Sequence, residues 1–137
     1  MFTPKKSKFK KQQKGKFFNH INSPVAADQL CFGSLGLKAV SFNRMTSKQT
    51  ETMRQSLSKL IKKTGKIIIN IFPNVPISQK PLEVRMGKGK GSVSHWAFKV
   101  KPGFILCEII TDQMKVAKKA LLLLKKKLNI KTKIIQI

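Results

Sequence analysis

The stretch Thr46-Ser47-Lys48-Gln49-Thr50-Glu51-Thr52-Met53-Arg54-Gln55-Ser56-Leu57-Ser58-Lys59-Leu60-Ile61-Lys62-Lys63-Thr64-Gly65-Lys66-Ile67-Ile68-Ile69-Asn70-Ile71-Phe72 sets two periodicities side by side. The first part predicts a helix over 46–65. The Thr46 hydroxyl can cap it, Gln49 answers three residues on, and Gly65 ends it. At about 100° per residue, Met53, Leu57, Leu60, Ile61 and Thr64 gather on one face. Lys48, Gln55, Lys59, Lys62 and Lys63 gather on the other, with no carboxylate on that face to pair them. That face is either simply solvated or in contact with a polyanion, and the missing carboxylates favour contact. From Lys66 to Phe72 the chain becomes β-branched and apolar, the pattern of a well-buried strand.

The flanks supply the rest of the fold. Residues 30–40 read as a strand broken or bulged at Gly33 and Gly36. Pro73, Pro76 and Pro81 argue against regular structure in the segment that follows the isoleucine strand. Residues 92–101 alternate, with Trp96, Phe98 and Val100 on one face. Pro102-Gly103 then turns the chain into 104–110, which predicts a hairpin. Asp112 is placed to cap a second helix over about 113–128, whose apolar side carries Met114, Ala117, Ala120, Leu121, Leu124 and Leu128. A short strand over 130–137 closes the chain. The expected fold class is α+β: a two-layer α/β sandwich, an antiparallel or mixed sheet with two helices, and a basic N-terminal extension. The expected boundaries are an extension over 1–24 and one domain over 25–137, with a loop protruding at 81–92. The 137 residues suffice for one ordinary core.

Charge limits the partners. There are 29 Lys+Arg against 5 Asp+Glu, a net +24. Such a field destabilises the compact state by self-repulsion unless a polyanion neutralises it. An anionic membrane is the weaker candidate, because no apolar run approaches the roughly 18 residues needed to span one. The longest, Leu121 to Leu124 with Ala120 before it, lies between Lys119 and Lys125. The N-terminus has no apolar core of a secretory signal.

The extension carries Lys5, Lys6, Lys8, Lys10, Lys11, Lys14 and Lys16 with no acidic residue before Asp28. It has no helix or strand period and reads as disordered alone, able to order on a polyanion. Phe2, Phe9, Phe17 and Phe18 either stack on bases or pack on the domain.

Arg85-Met86-Gly87-Lys88-Gly89-Lys90-Gly91-Ser92 is the most informative short motif. Alternating glycines permit positive φ and close approach of another polymer, and Lys88 and Lys90 put cations along the same few residues. A nucleotide-hydrolase phosphate loop needs four residues between its first glycine and Gly-Lys-Ser/Thr, and it opens a helix. Here the glycines alternate and a strand follows.

Catalytic and metal chemistry have little to work with. Cys31 and Cys107 sit in apolar surroundings and read as small buried hydrophobes. A zinc site would have to gather them with His20 and His95 from scattered positions, so no metal or cofactor is expected. Asp28, Glu51, Glu83, Glu108 and Asp112 are dispersed, which argues against an enzyme. A charge-driven nucleic-acid compactor remains as a rival, but it leaves the proline-framed loop without a role.

One resemblance runs along nearly the whole chain. Phe72-Pro73-x-x-Pro76-Ile77-x-x-Lys80-Pro81-Leu82-x-Val84-Arg85-Met86-Gly87-Lys88-Gly89-Lys90-Gly91 closely resembles the bacterial and organellar large-subunit ribosomal protein sixteen family. Pro4-Lys5-x-x-Lys8-Phe9-x-Lys11, Phe32-Gly33-Ser34-x-Gly36-Leu37-Lys38-Ala39-Val40, Gly65-Lys66-Ile67, Pro102-Gly103, Leu106, Glu108 and Ile130-Lys131-Thr132 extend the likeness. The resemblance implies a non-enzymatic constituent of the large ribosomal subunit, with large-subunit rRNA, tRNA and neighbouring ribosomal proteins as partners. It implies an α/β domain near the aminoacyl-tRNA site, a loop Arg85–Gly91 directed toward the peptidyl-transferase region and tRNA ends, and late assembly into the subunit. Lys48, Arg54, Lys59, Lys62 and Lys63 on the helix and Arg85, Lys88 and Lys90 in the loop match cationic positions of the family. Lys38, Arg44 and the extension lysines complete the expected RNA-binding set.

There are departures. The family's paired helix arginines read Arg54-Gln55 here, and lysine elsewhere loses the guanidinium fork that grips phosphate. The family's Tyr-Trp is His95-Trp96, with His95 expected to pack, and Cys107 replaces a tyrosine. The family's opening motif falls within a few residues of Met1, leaving no room for a cleavable import sequence. With the lysine and isoleucine bias, this points to a mitochondrial, organelle-encoded protein, with a plastid or the bacterial cytoplasm as alternatives.

Overall fold

Thr46 and Gln49 cap a helix reciprocally. The Thr46 Oγ1 accepts the Gln49 N–H at 3.3 Å, and the Gln49 Oε1 accepts the Thr46 N–H at 2.9 Å. Two of the donors that a helix start leaves without partners are thereby satisfied, as the sequence predicts. The computed structural model describes residues 2–13, 15, 29–61 and 64–136. The readings placed on Lys14, Lys16, Phe17, Phe18, His20, Asp28, Lys62 and Lys63, and on a boundary at 24/25, lie outside the described residues.

In chain order the elements are β1 (Leu35–Ala39), β2 (Asn43–Thr46), α1 (Ser47–Ile61), β3 (Gly65–Ile69), β4 (Val75–Gln79), β5 (Ser92–Val100), β6 (Ile105–Thr111), α2 (Met114–Lys127) and β7 (Thr132–Gln136). The fold is α+β, as expected, but its strands divide into two sheets. One is ordered β3-β6-β1-β7 and the other β2-β5-β4, and every pairing is antiparallel.

The helices pack on each other and close one core. α1 buries Met53, Leu57 and Ile61 together with Thr50. α2 buries Ala117, Ala120, Leu121 and Leu124, the face its period selects. Leu35, Leu37, Leu106, Cys107 and Ile109 meet them from the first sheet, and Met45 and Val100 from the second. Leu60, expected on the buried face, is more than a third exposed at the helix edge.

Several expectations need correction. Gly65 does not end the helix; it opens β3, and a Cβ there would lie 2.5 Å from the Ile110 carbonyl oxygen. Thr64 performs the stop, its N–H and hydroxyl both donating to the Ile61 carbonyl at 2.9 and 2.5 Å. The isoleucine strand is a half-buried sheet edge rather than a fully covered one. Pro76 lies inside β4, and that strand is also an edge, where a missing N–H can face away from the ladder. β1 starts only at Leu35, and its irregularity falls between Leu37 and Lys38 rather than at a glycine.

The Pro102-Gly103 turn makes no hairpin, because β5 and β6 belong to different sheets. Gly103, at φ 91°, donates its N–H to the Ala39 carbonyl at 2.8 Å, and Ala39 donates to the Phe104 carbonyl at 2.8 Å. The turn is pinned to the end of β1 and hands the chain from one sheet to the other. The Phe98 and Phe104 rings, 5.3 Å apart, join the sheets at that corner. Asp112 does not cap α2 with its side chain: Gln113 is the N-cap residue, and its N–H is accepted by the Thr111 hydroxyl at 3.2 Å.

Candidate nucleic-acid interface

The glycine–lysine loop leaves the β4 edge and returns as β5, and residues 81–90 are exposed throughout. Gly87 and Gly89 have φ of 98° and 79° with nothing within 4 Å of an added Cβ, so their requirement is conformational. Lys88 between them also lies at positive φ, 53°, which non-glycine residues seldom adopt. Gly91 is needed for a different reason: a Cβ there would meet the Gln79 carbonyl oxygen at 2.7 Å. The loop is therefore a left-handed, side-chain-poor ribbon anchored at its exit against the β4 backbone. Leu82 and Met86 are almost fully exposed beside the cations Arg85 and Lys88.

The N-terminal segment lies against this loop. Lys11 Nζ donates to the Lys90 carbonyl at 2.9 Å, and Lys90 Nζ donates back to the Gln12 carbonyl. Lys80 Nζ reaches the Gly87 carbonyl from the other side. Gln12, Gln13, Arg44, Val75, Pro76, Ile77, Ser78 and Lys90 line a cleft of about 160 Å³ beside β4. The Arg44 guanidinium extends to the Gly15 carbonyl at 3.5 Å. Lys5, Lys6, Lys8, Lys10 and Lys11 are exposed along irregular chain, and Lys8 Nζ sits 5.5 Å from the Phe9 ring. Thus, of the sequence-predicted cations, Lys11, Arg44 and Lys90 come together where the N-terminal segment meets the loop.

The others stand apart from that cluster. Lys48 and Lys59 are exposed at the two ends of α1. Arg54 is not a free cation: its Nη2 bonds Glu51 Oε1 at 2.6 Å, and Gln55 Nε2 joins the same oxygen at 3.1 Å. The expectation of a helix face without a carboxylate is corrected by Glu51, one turn before Arg54. Their mutual hydrogen bond raises the Arg54 pKa and lowers that of Glu51, and both groups remain in solvent. Lys38, half-buried on β1, is directly opposite Lys133 of β7, in an open groove shared with Val40, Pro102 and Gly103.

Two residues that the sequence matched to the family pattern without a role carry structural weight. Lys80 braces the loop, and nothing in its spacing marks a carbonyl acceptor seven residues on. Glu108, on the central strand β6, is 1% exposed. Its Oε2 accepts the N–H groups of Cys31, Phe32 and Gly33 at 3.1, 2.8 and 2.9 Å, and its Oε1 accepts Asn70 Nδ2 at 2.9 Å. Burial pushes its pKa up, but the Phe32 amide, the Asn70 side chain and the Gly33 and Cys31 amides outweigh that and hold it below the ordinary carboxylate value. This acid is engaged by three backbone amides and one side-chain amide, a structural role.

The thiols also divide. Cys107 is buried, and desolvation raises its pKa to about 12, so it behaves as a hydrophobe. Cys31, expected to be buried, is exposed in the loop that Glu108 holds. His95 is half-buried, its Nδ1 3.4 Å from the Ser94 hydroxyl. Among the described residues no three His, Cys, Asp or Glu side chains form a group able to hold a metal ion, and no helix is long and apolar enough to cross a membrane.

These features define a strongly basic α+β domain that presents cationic chain and loop. Comparison with known proteins specifies it further. A family profile described as ribosomal protein L16p/L10e matches residues 4–135. The chain is 45% identical over 136 residues to the large ribosomal subunit protein uL16 of Xanthobacter autotrophicus, which spans 99% of this chain and 97% of that protein. It is equally similar, with the same coverage, to the large ribosomal subunit protein uL16 of Azorhizobium caulinodans. The chain belongs to the ribosomal protein L16p/L10e family, whose members are structural components and not enzymes.

Proposed function

We propose that this chain is a structural constituent of the large ribosomal subunit. It binds large-subunit rRNA near the aminoacyl-tRNA site and the peptidyl-transferase centre, supports tRNA positioning, and joins the subunit late in assembly. The observation that carries this reading is the loop Arg85–Gly91. It is an exposed ribbon with three consecutive residues at positive φ and two lysines, on a chain of net charge +24. Such a ribbon presents backbone N–H groups and cations together, which suits close approach to a phosphate backbone.

The extension lysines Lys5, Lys6, Lys8, Lys10, Lys11, Lys14 and Lys16 form the RNA contact together with Lys38, Arg44, Lys48, Arg54, Lys59, Lys62 and Lys63. Arg85, Lys88 and Lys90 extend it toward the tRNA ends. Residues 1–24 act as the RNA-binding arm of a single domain over 25–137. The lysine and isoleucine bias supports a mitochondrial ribosome as the place of action, and the bacterial relatives support the bacterial one.

Sedimentation tests the reading. In sucrose gradients of a lysate of its source, run with and without DNase, the tagged full chain should travel with the large subunit in both. Migration with DNA, or at the top of the gradient, would replace it with the compactor reading. Fractionating organelles before the gradient assigns the compartment.

A further inference from the structure

We propose that in the free chain Lys90 and Lys11 act as positioning residues that lace the N-terminal segment to the glycine–lysine loop, beside their part in the RNA contact. The inference deepens the ribosomal reading of this loop and rests on it for the identity of the polyanion. The lacing itself is a property of the free chain.

The argument starts from where each ammonium group goes. Four cations stand on or beside the loop: Lys80, Arg85, Lys88 and Lys90. Two of them are committed to carbonyls of this chain, Lys80 to Gly87 and Lys90 to Gln12. Arg85 and Lys88 have no hydrogen bond or ion pair among the described residues and project from exposed positions. The Lys90 link is reciprocal, because the carbonyl of Lys90 in turn accepts Lys11 Nζ at 2.9 Å. Two crosslinks of opposite direction therefore join residues 11–12 to residue 90. They sit one residue before Gly91, where the loop is already held against the Gln79 backbone.

Chemistry explains why lysines hold here although like charges repel. Each ammonium has three donors and no acceptor, so a lysine can only satisfy itself on oxygen. With carboxylates nearly absent from the chain, backbone carbonyls compete with water for these donors. The two ammonium groups point to different carbonyls, which spreads the positive charge rather than concentrating it. A ribbon with three consecutive positive-φ residues has no side-chain packing of its own to fix its direction. Lacing at one end and the Lys80 brace near the other fix it from outside.

The test uses the full-length free protein labelled with 15N. The observables are the heteronuclear NOE of the Gly87, Gly89 and Gly91 amides and the rate of tryptic cleavage after Lys88. Lys90→Met and Lys11→Met keep the aliphatic stem and remove the donors. Each should lower the three NOE values and raise cleavage by a factor of about 2–10, the range that one net hydrogen bond confers. The double variant should add little to either single one, since each half of a reciprocal link depends on the other. Lys90→Arg, which keeps charge and donors, should restore wild-type values, whereas Lys88→Met should leave the NOE values of Gly87 and Gly91 unchanged. Equal loosening by Lys88→Met and Lys90→Met, or no effect of Lys11→Met, would overturn the proposal. Because no ribosome is present, that failure is distinct from failure of the gradient experiment.

Discussion

The Oε2 atom of Glu108 accepts the backbone N–H of Gly33 at 2.9 Å, joining the central strand of one sheet to a loop 75 positions earlier. The same oxygen gathers Cys31 and Phe32, so a single carboxylate orders three consecutive amides ahead of β1. The carboxylate is buried, and among the described residues hydrogen-bond dipoles are what meet its charge. Its ionised form is nonetheless favoured, because four N–H donors meet it in a site that water cannot screen.

Glu108→Gln should therefore destabilise the free domain by about 1–3 kcal/mol, the difference between charged and neutral acceptors at a buried site. The pH dependence follows from the direction of the shift. A depressed folded pKa contributes stability that is complete above the unfolded value, near 4.5, and is lost as pH falls through the lower folded value. Urea melts of both proteins at pH 7, 5 and 3.5 should show a constant gap at the first two and a smaller one at the third. A gap that widens in acid would contradict this assignment.

Gly91→Ala should be more disruptive to the fold than Gly87→Ala. At Gly91 the new methyl meets the Gln79 carbonyl at 2.7 Å, and backbone must move to admit it. At Gly87 the space is open and only the φ of an exposed residue is strained. Overpacking against fixed atoms costs about 1–3 kcal/mol. The readout is the thermal midpoint of each variant, with amide exchange along 75–79 reporting local opening. Equal midpoints would show that β4 yields at no cost.

What could be read from the sequence, and what could not, divides by range. The Thr46–Gln49 cap and the faces of both helices depend on neighbours within a turn, and periodicity exposed them. So did the class of fold and the positive-φ glycines of the loop. The strand partners did not show. Residues 92–101 and 104–110 flank a turn signal that fits a hairpin, yet the Ala39 backbone captures that turn and separates the strands into two sheets. Pro76 read as a breaker because nothing local marks a strand as an edge. Glu108 counted as one of five scattered acids, since the amides it binds carry no side-chain signature. Cys31 looked apolar by its neighbours, but the loop around it turns outward once Glu108 has taken its backbone.

Binding of the chain to isolated large-subunit rRNA should be steeply salt-dependent. Engagement of about eight phosphates gives a log–log slope of roughly −6 to −7, at about 0.7–0.9 per phosphate. Lys88→Ala should make the slope shallower by about one phosphate. Arg54→Ala should change it less, because Glu51 already holds that guanidinium in the free protein. Titrations at four salt concentrations measure both. A wild-type slope shallower than about −2 would contradict a phosphate-dominated interface.

The loop separates charge from shape most clearly at neighbouring positions. Gly89→Val should impair function more than Lys88→Ala. Gly89 lies at φ 79°, where a β-branched side chain costs on the order of 1–3 kcal/mol. No atom lies within 4 Å to clash with the new side chain in the free protein. The substitution therefore acts by bending the ribbon out of its left-handed course and by adding bulk where RNA is to approach. Lys88→Ala removes one cation from a net +24 and leaves the glycines on either side at liberty to keep their course. Neither change reaches the core, so the thermal midpoints of both free variants should stay close to wild type. Ribosomes assembled with each variant are then assayed for aminoacyl-tRNA binding and peptide-bond formation. The expected order is wild type, then Lys88→Ala, then Gly89→Val. Normal translation by the Gly89→Val ribosomes would remove this loop from the functional centre.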